Sequence, residues 1–115
     1  YVTRTATATA DGTSTGTLTA GSQFTVVTSD NADKIIILPA PVPGTVVRLI
    51  NGATGYELRS SAPATVAING GAGIDAESAI GANTLVTLVC TSATTWVGTN
   101  VAADGTVTAT QAAAA

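Results

Sequence analysis

Turn chemistry interrupts this chain at short intervals from end to end. Asp11-Gly12, Asp30-Asn31, the run from Pro39 to Gly44, Asn51-Gly52, Asn69-Gly70-Gly71 and Asn83 punctuate it, and the stretches between them are short and rich in β-branched residues. This pattern predicts strands at Gln23 to Thr28, Ile35 to Leu38, Thr45 to Ile50, Tyr56 to Ser60, Thr65 to Ile68, Leu85 to Thr91 and Thr95 to Gly98. Short strands so spaced predict an all-β fold: an antiparallel β-sandwich of jelly-roll type, or a small barrel, with extended terminal arms. Asn-Gly suits tight hairpin turns because both residues tolerate positive φ. Ile35-Ile36-Ile37-Leu38 is apolar on both faces, which predicts a central strand. Tyr56, Leu58 and Ser60 alternate with Glu57, Arg59 and Ser61, which predicts a half-exposed strand at an edge or an interface. Pro39, Pro41 and Pro43 fix φ and remove donors, so their segment is read as a rigid crossover rather than a polyproline ligand. No period of 20 to 50 residues is visible, which argues against solenoids and propellers.

With 115 residues, one domain is expected, with roughly two thirds of its unfolded surface buried. Residues 21–100 form the core of this reading. In residues 1–20, Thr3, Thr5, Thr7 and Thr9 alternate with Val2, Arg4, Ala6, Ala8 and Ala10, a period of two. Such a stretch is an arm that pairs with its own sheet or with a neighbouring subunit, or else a disordered Thr/Ala tail. As an arm, its removal is expected to leave a folded core. Residues 101–115 read as a last strand around Thr106 to Gln111 and an alanine tail.

The core has unusual contents. Hydrophobic residues are 45% of the chain, yet aromatics are 3% and Met is absent, so side chains are small and each removes little area from water. Only 10% of residues are charged, against about a quarter in an ordinary globular domain. Both facts point to stability shared with neighbours and a surface that is partly covered. A net charge of −3 leaves no basic face for phosphates, so nucleic acid is not an expected partner. No stretch is long and apolar enough for a membrane helix, and no membrane partner is expected.

The chain contains no His, which removes Ser/His and Cys/His nucleophilic chemistry and most zinc sites. Cys90, in an apolar alternation, reads as a small buried hydrophobe. Asp75 and Glu77 would share a face if extended, but no partner of defined spacing accompanies them. They read as solvated loop charges, or as partners of Arg48 or Arg59, within the chain or between subunits. Asp30-Asn31-Ala32-Asp33 offers oxygens to a calcium ion but lacks the glycine and distant glutamate of a helix-loop-helix site, so a side-chain-capped turn is the better reading. Gly70-Gly71-Ala72-Gly73 has no following lysine and is not a phosphate loop. Trp96 reads as the main core anchor rather than a sugar platform. No catalytic residue, cofactor or metal is expected.

Four segments carry a resemblance: Asp33 to Gly44 with Leu38-Pro39, Val47-Arg48-Leu49-Ile50-Asn51-Gly52, Ala67-Ile68-Asn69-Gly70-Gly71, and Cys90 to Trp96. Together, over about residues 30–98, they resemble small virion proteins of tailed phages, particularly head decoration or cement proteins; head- and tail-fibre modules share the style. The resemblance implies a β-sandwich or tulip-like subunit, commonly trimeric, on the outer surface of a capsid. Its partners would be the major capsid protein and its own copies, and no enzymatic activity is implied. Contact is expected through Val2, Thr3, Arg4, Thr5, Thr7 and Thr9 of the arm and through Tyr56 and Arg59. The alternative is a fibre module that binds carbohydrate.

Overall fold

The computed structural model describes residues 2–110. The chain is all-β, with ten strands and a single 3-10 turn at Ser14–Gly16. The strands are β1 (Val2–Thr7), β2 (Gln23–Thr28), β3 (Ile35–Ile37), β4 (Val46–Asn51), β5 (Tyr56–Arg59), β6 (Ala67–Ile68), β7 (Ser78–Ile80), β8 (Leu85–Ser92), β9 (Thr95–Val101) and β10 (Val107–Ala109). They build two open sheets. The larger has seven strands in the order β1-β2-β4-β8-β9-β10, with β6 also on β9; the smaller has the order β3-β5-β7.

Pairing is mixed rather than antiparallel throughout, and no barrel closes. β1 and β2, β2 and β4, β3 and β5, and β6 and β9 run parallel. The cause is the route of the chain. After β2 it crosses to the small sheet as β3, returns through the proline segment as β4, and crosses again as β5. Each return enters a sheet in the same direction as before, so neighbours are parallel without any helical crossover. Val2 lies beside Gln23, Gln23 beside Val47, and Ile35 beside Glu57, returns of 21, 24 and 22 residues. The backbone therefore winds with a near-regular step although the side chains carry no repeat. Antiparallel β7, β8, β9 and β10 end the winding.

Residues 2–18 are built into the body. β1 pairs along its length with β2, and Ala6, Ala8 and Leu18 belong to the core. The chain then covers the outer side of β3: Thr9 and Ile35 exchange backbone hydrogen bonds at 3.1 and 2.7 Å, and Leu18 N donates to Ile37 O at 2.9 Å. This explains the doubly apolar Ile run. β3 is an edge strand of its sheet, not a central one, but Gly12 lies against its outward side chains. A Cβ on Gly12 would come within 2.8 Å of Ile35 and 2.5 Å of Ile37, and its φ of 79° also favours glycine. β10 supplies the strand expected near the C-terminus, whereas Gln111 and the alanine tail lie outside the described residues.

One core fills the space between the sheets. Val47, Leu49, Val86, Leu88, Cys90 and Trp96 come from the large sheet, and Ile36, Tyr56, Leu58 and Ile80 from the small one. Trp96 is the largest buried side chain, as its sequence setting suggests. Two asparagines take the place of backbone at strand ends. Asn69, at φ 50°, opens the tight turn expected of Asn69-Gly70, and its carboxamide pairs with both N and O of Gly98 at 2.9 Å. It thereby fills the gap along β9 between β6 and β10. Gly98 must be glycine: an added Cβ would lie 2.8 Å from Thr87 O and closer still to the Leu88 side chain. Asn51-Gly52 is no hairpin. Asn51 is buried and binds Thr54 O, Gly81 O and Thr84 N, holding the crossover from β4 to β5.

Candidate functional site

The register fixes what the large sheet shows to its outside. Across from the core-facing positions stand Thr3, Thr5 and Thr7 of β1, Phe24, Val26 and Thr28 of β2, and Val46, Arg48 and Ile50 of β4. β8 continues the face with Leu85, Thr87 and Val89, β9 with Thr95, Val97, Thr99 and Val101, and β10 with Val107 and Ala109. Threonine and valine suit a twisted sheet and leave its surface without long flexible side chains. Val97 is 49% exposed and Val107 62%. Among the described residues, Arg48 is the only charged residue on this face, although the chain has eleven charged residues in all. Six strands about 4.8 Å apart and some five residues of about 3.3 Å each give a surface on the order of 500 Å². This broad, charge-poor face is the candidate site.

The small sheet shows the opposite character. Glu57 and Arg59 project outward from β5, and Glu77 stands just before β7. Arg59 Nε donates to Glu77 Oε2 at 2.8 Å, and Arg59 Nη1 reaches Asp75 Oδ1 at 3.3 Å. Glu57 shares a hydrogen bond with Glu77. That bond, burial and the repulsion of Glu77 and Asp33 push the Glu57 carboxyl up to about 7. Burial opposes ionisation of Glu77, but the bonds from Glu57 and Arg59 outweigh it and hold its carboxyl below the usual range. Below about pH 7 the pair thus shares one proton between two carboxylates.

The expected contact residues fall into different places. Val2, Thr3, Thr5 and Thr7 are exposed on the edge strand β1, whose outer side has no strand beside it among the described residues. Arg4 points inward and is half-buried, with no partner for its Nε among the described residues. Thr9 is half-buried and its hydroxyl donates to Thr13 O at 2.9 Å. Tyr56 is not at a surface: it is 0% exposed, and burial drives its phenol pKa up. β5 is the central strand of its sheet, because β7 arises from a stretch that reads as loop. Arg59 is turned to Asp75 and Glu77 of its own chain, one of the pairings open to it from sequence. Trp96 and Tyr56 are both buried and present no ring to a sugar.

Other expectations resolve locally. Asp33 N donates to Asn31 Oδ1 at 2.8 Å and Lys34 Nζ lies 2.9 Å from Asp30, so that tract is a side-chain-capped turn. Cys90 is buried, and burial pushes its thiol up. Among the described residues, no three acidic, Cys or His side chains are grouped to hold a metal. The outer face itself went unread, although β8 carries a signal for it: Leu85, Val86, Leu88 and Val89 are apolar on both sides of the strand. Comparison with family models, curated proteins and solved structures gives no match.

Proposed function

We propose that the chain is a structural virion protein, a decoration or cement subunit that lies on the outer surface of a phage head and binds the major capsid protein and its own copies. The two sheets are read as a β-sandwich whose large outer face is the docking surface. The observation that carries this is the uncharged Thr/Val face, with Arg48 its single charge. Charge depletion at the centre marks an interface, and adhesion by sheet surface needs no reactive group. The free edge of β1, with its exposed threonines, is positioned to add to a neighbouring sheet as the expected arm contact.

The face is smaller than the roughly 800 Å² per partner of a standard interface. A single subunit would therefore hold weakly, and several linked subunits would hold well, because each contact raises the effective concentration of the next. That supports an oligomer over a monomer, and a homotrimer is the form proposed. Light scattering after size exclusion should give a native mass three times the chain's 11.2 kDa, and the protein should co-sediment with heads stripped of decoration. A protein that stays in the supernatant at all concentrations would remove this reading.

A further inference from the structure

The large sheet ends in two edges, β1 and β10, and no strand among the described residues lies beyond either. On β1 the outward backbone groups can be assigned. Ala8 N donates to Thr28 O at 2.9 Å, and in a parallel ladder alternate residues turn toward the neighbour. Val2, Arg4 and Ala6 therefore bond β2, while the N–H and C=O of Thr3, Thr5 and Thr7 point away from it. The Thr15 hydroxyl donates to Thr7 O at 3.1 Å, which closes that end of the edge. Thr3 and Thr5, both exposed, are left with a donor and an acceptor each on the open side, unpaired among the described residues.

β10 is the matching edge. Ala102 N donates to Thr106 O at 2.9 Å and Thr110 N to Gly98 O at 3.2 Å, so Thr106, Thr108 and Thr110 face β9 and the N–H and C=O of Val107 and Ala109 point outward. Among the described strands β10 alone has every residue exposed, so the core draws it in on neither side. It is held out from its ends, by the Gly105 turn and by the buried Thr110. We propose that β10 of one copy pairs antiparallel with β1 of the next, Val107 opposite Thr5 and Ala109 opposite Thr3. Opposed residues of this kind exchange both backbone bonds. Direction and face agree with this register. β1, β2, β4 and β9 run one way and β8 and β10 the other, so a copy set beside this one with its outer face on the same side brings its β1 antiparallel to β10. Thr3, Thr5, Val107 and Ala109 all belong to the outer face, which then runs unbroken from copy to copy. On the inner side Thr108 comes opposite Arg4, whose Nε has no partner among the described residues. The contact joins two different edges head to tail, and its closed form is a ring. It rests on the self-association in the reading above and names the strand to which the β1 edge adds.

Proline is the selective probe, because at an outward position it deletes a donor from the edge and none from the ladder within the chain. Thr5→Pro spoils the β1 edge and keeps β10; Val107→Pro does the reverse. The measurement is native mass, each variant alone and the two mixed, at about 100 µM, a concentration that detects even weak contacts. Each alone should melt cooperatively as a monomer. Mixed one to one, they should form a dimer and nothing larger, since only one junction can be made. Should either lose its fold, Thr3→Pro or Ala109→Pro takes its place on the same edge. If the wild type associates and both variants associate equally, these edges are not the contact, while self-association stands on another surface. If Thr5→Pro is monomeric but Val107→Pro still associates, β1 meets its own kind and the pairing with β10 is wrong. A mixture of monomeric variants that stays monomeric overturns it as well. A monomeric wild type overturns both this contact and the self-association beneath it.

Discussion

The two outer faces differ more than the two sheets do. Both sheets give β-branched and aliphatic residues to one core, but outward the large sheet shows threonine and valine around Arg48 and the small one shows Glu57, Arg59 and Glu77. The small face meets its electrostatic needs internally, through ion pairs and a shared proton. The large face carries little charge and presents mainly threonine and valine. Charge that is engaged within the chain maintains the fold, whereas the charge-poor sheet is the face assigned to contact in the proposed function.

If this division is right, substitutions on the two faces should have opposite consequences. The largest effect is expected from Val97→Asp on the large face. An unpaired carboxylate buried against a partner costs several kcal/mol, so head binding should fall at least about a hundredfold in a co-sedimentation titration. The melting temperature should shift by less than about 3 °C, because Val97 lies outside the core. Unchanged binding would break the comparison. On the small face, Arg59→Ala removes the partner of Glu77 and should destabilise the fold by about 2 kcal/mol, between the values typical of exposed and of buried pairs. Urea unfolding measures this, and a change under about 0.5 kcal/mol would show the pair to be ornamental.

The smallest effect sharpens the comparison through pH. The folded Glu57 carboxyl titrates at about 7, above its ordinary 4.5, so the folded state binds more protons between those values. Its contribution is full below pH 4.5 and lost as pH rises through 7. Glu77, held low, contributes in the other sense, losing its part as pH falls. The melting temperature should therefore decline from pH 5 to pH 8, and Glu57→Gln should flatten that decline. A wild type and variant that run parallel over this range would show that no proton is shared.

Much of the fold is legible in the residues. β2, β8 and β9 follow from alternation, Trp96 from its isolation in an aromatic-poor chain, and the turn at Asn69 from its dipeptide. What escapes depends on distant partners. Asn51-Gly52 has the same letters as Asn69-Gly70, yet the buried Asn51 side chain is held by Gly81 and Thr84 and the local turn preference yields to those bonds. β7 is three residues among glycine and alanine, too short to announce itself, and without it β5 reads as an edge and Tyr56 as exposed. The contact face escapes for a related reason. Alternation reports that one side of a strand is buried, but a sheet with apolar residues on both sides reads only as more core.

The winding between sheets also sets how the molecule must be made. Returns of 21 to 24 residues mean that β1, β2 and β4 cannot meet through short turns, and each pairing bears a loop-closure cost before any contact rewards it. Among the described residues, the β8–β9 hairpin and its β10 extension pair locally, whereas β1 reaches the far edge of the sheet through a long return. Whenever β1 is undocked, the edge of β2 is open to any unpaired strand, the β1 of a second copy included.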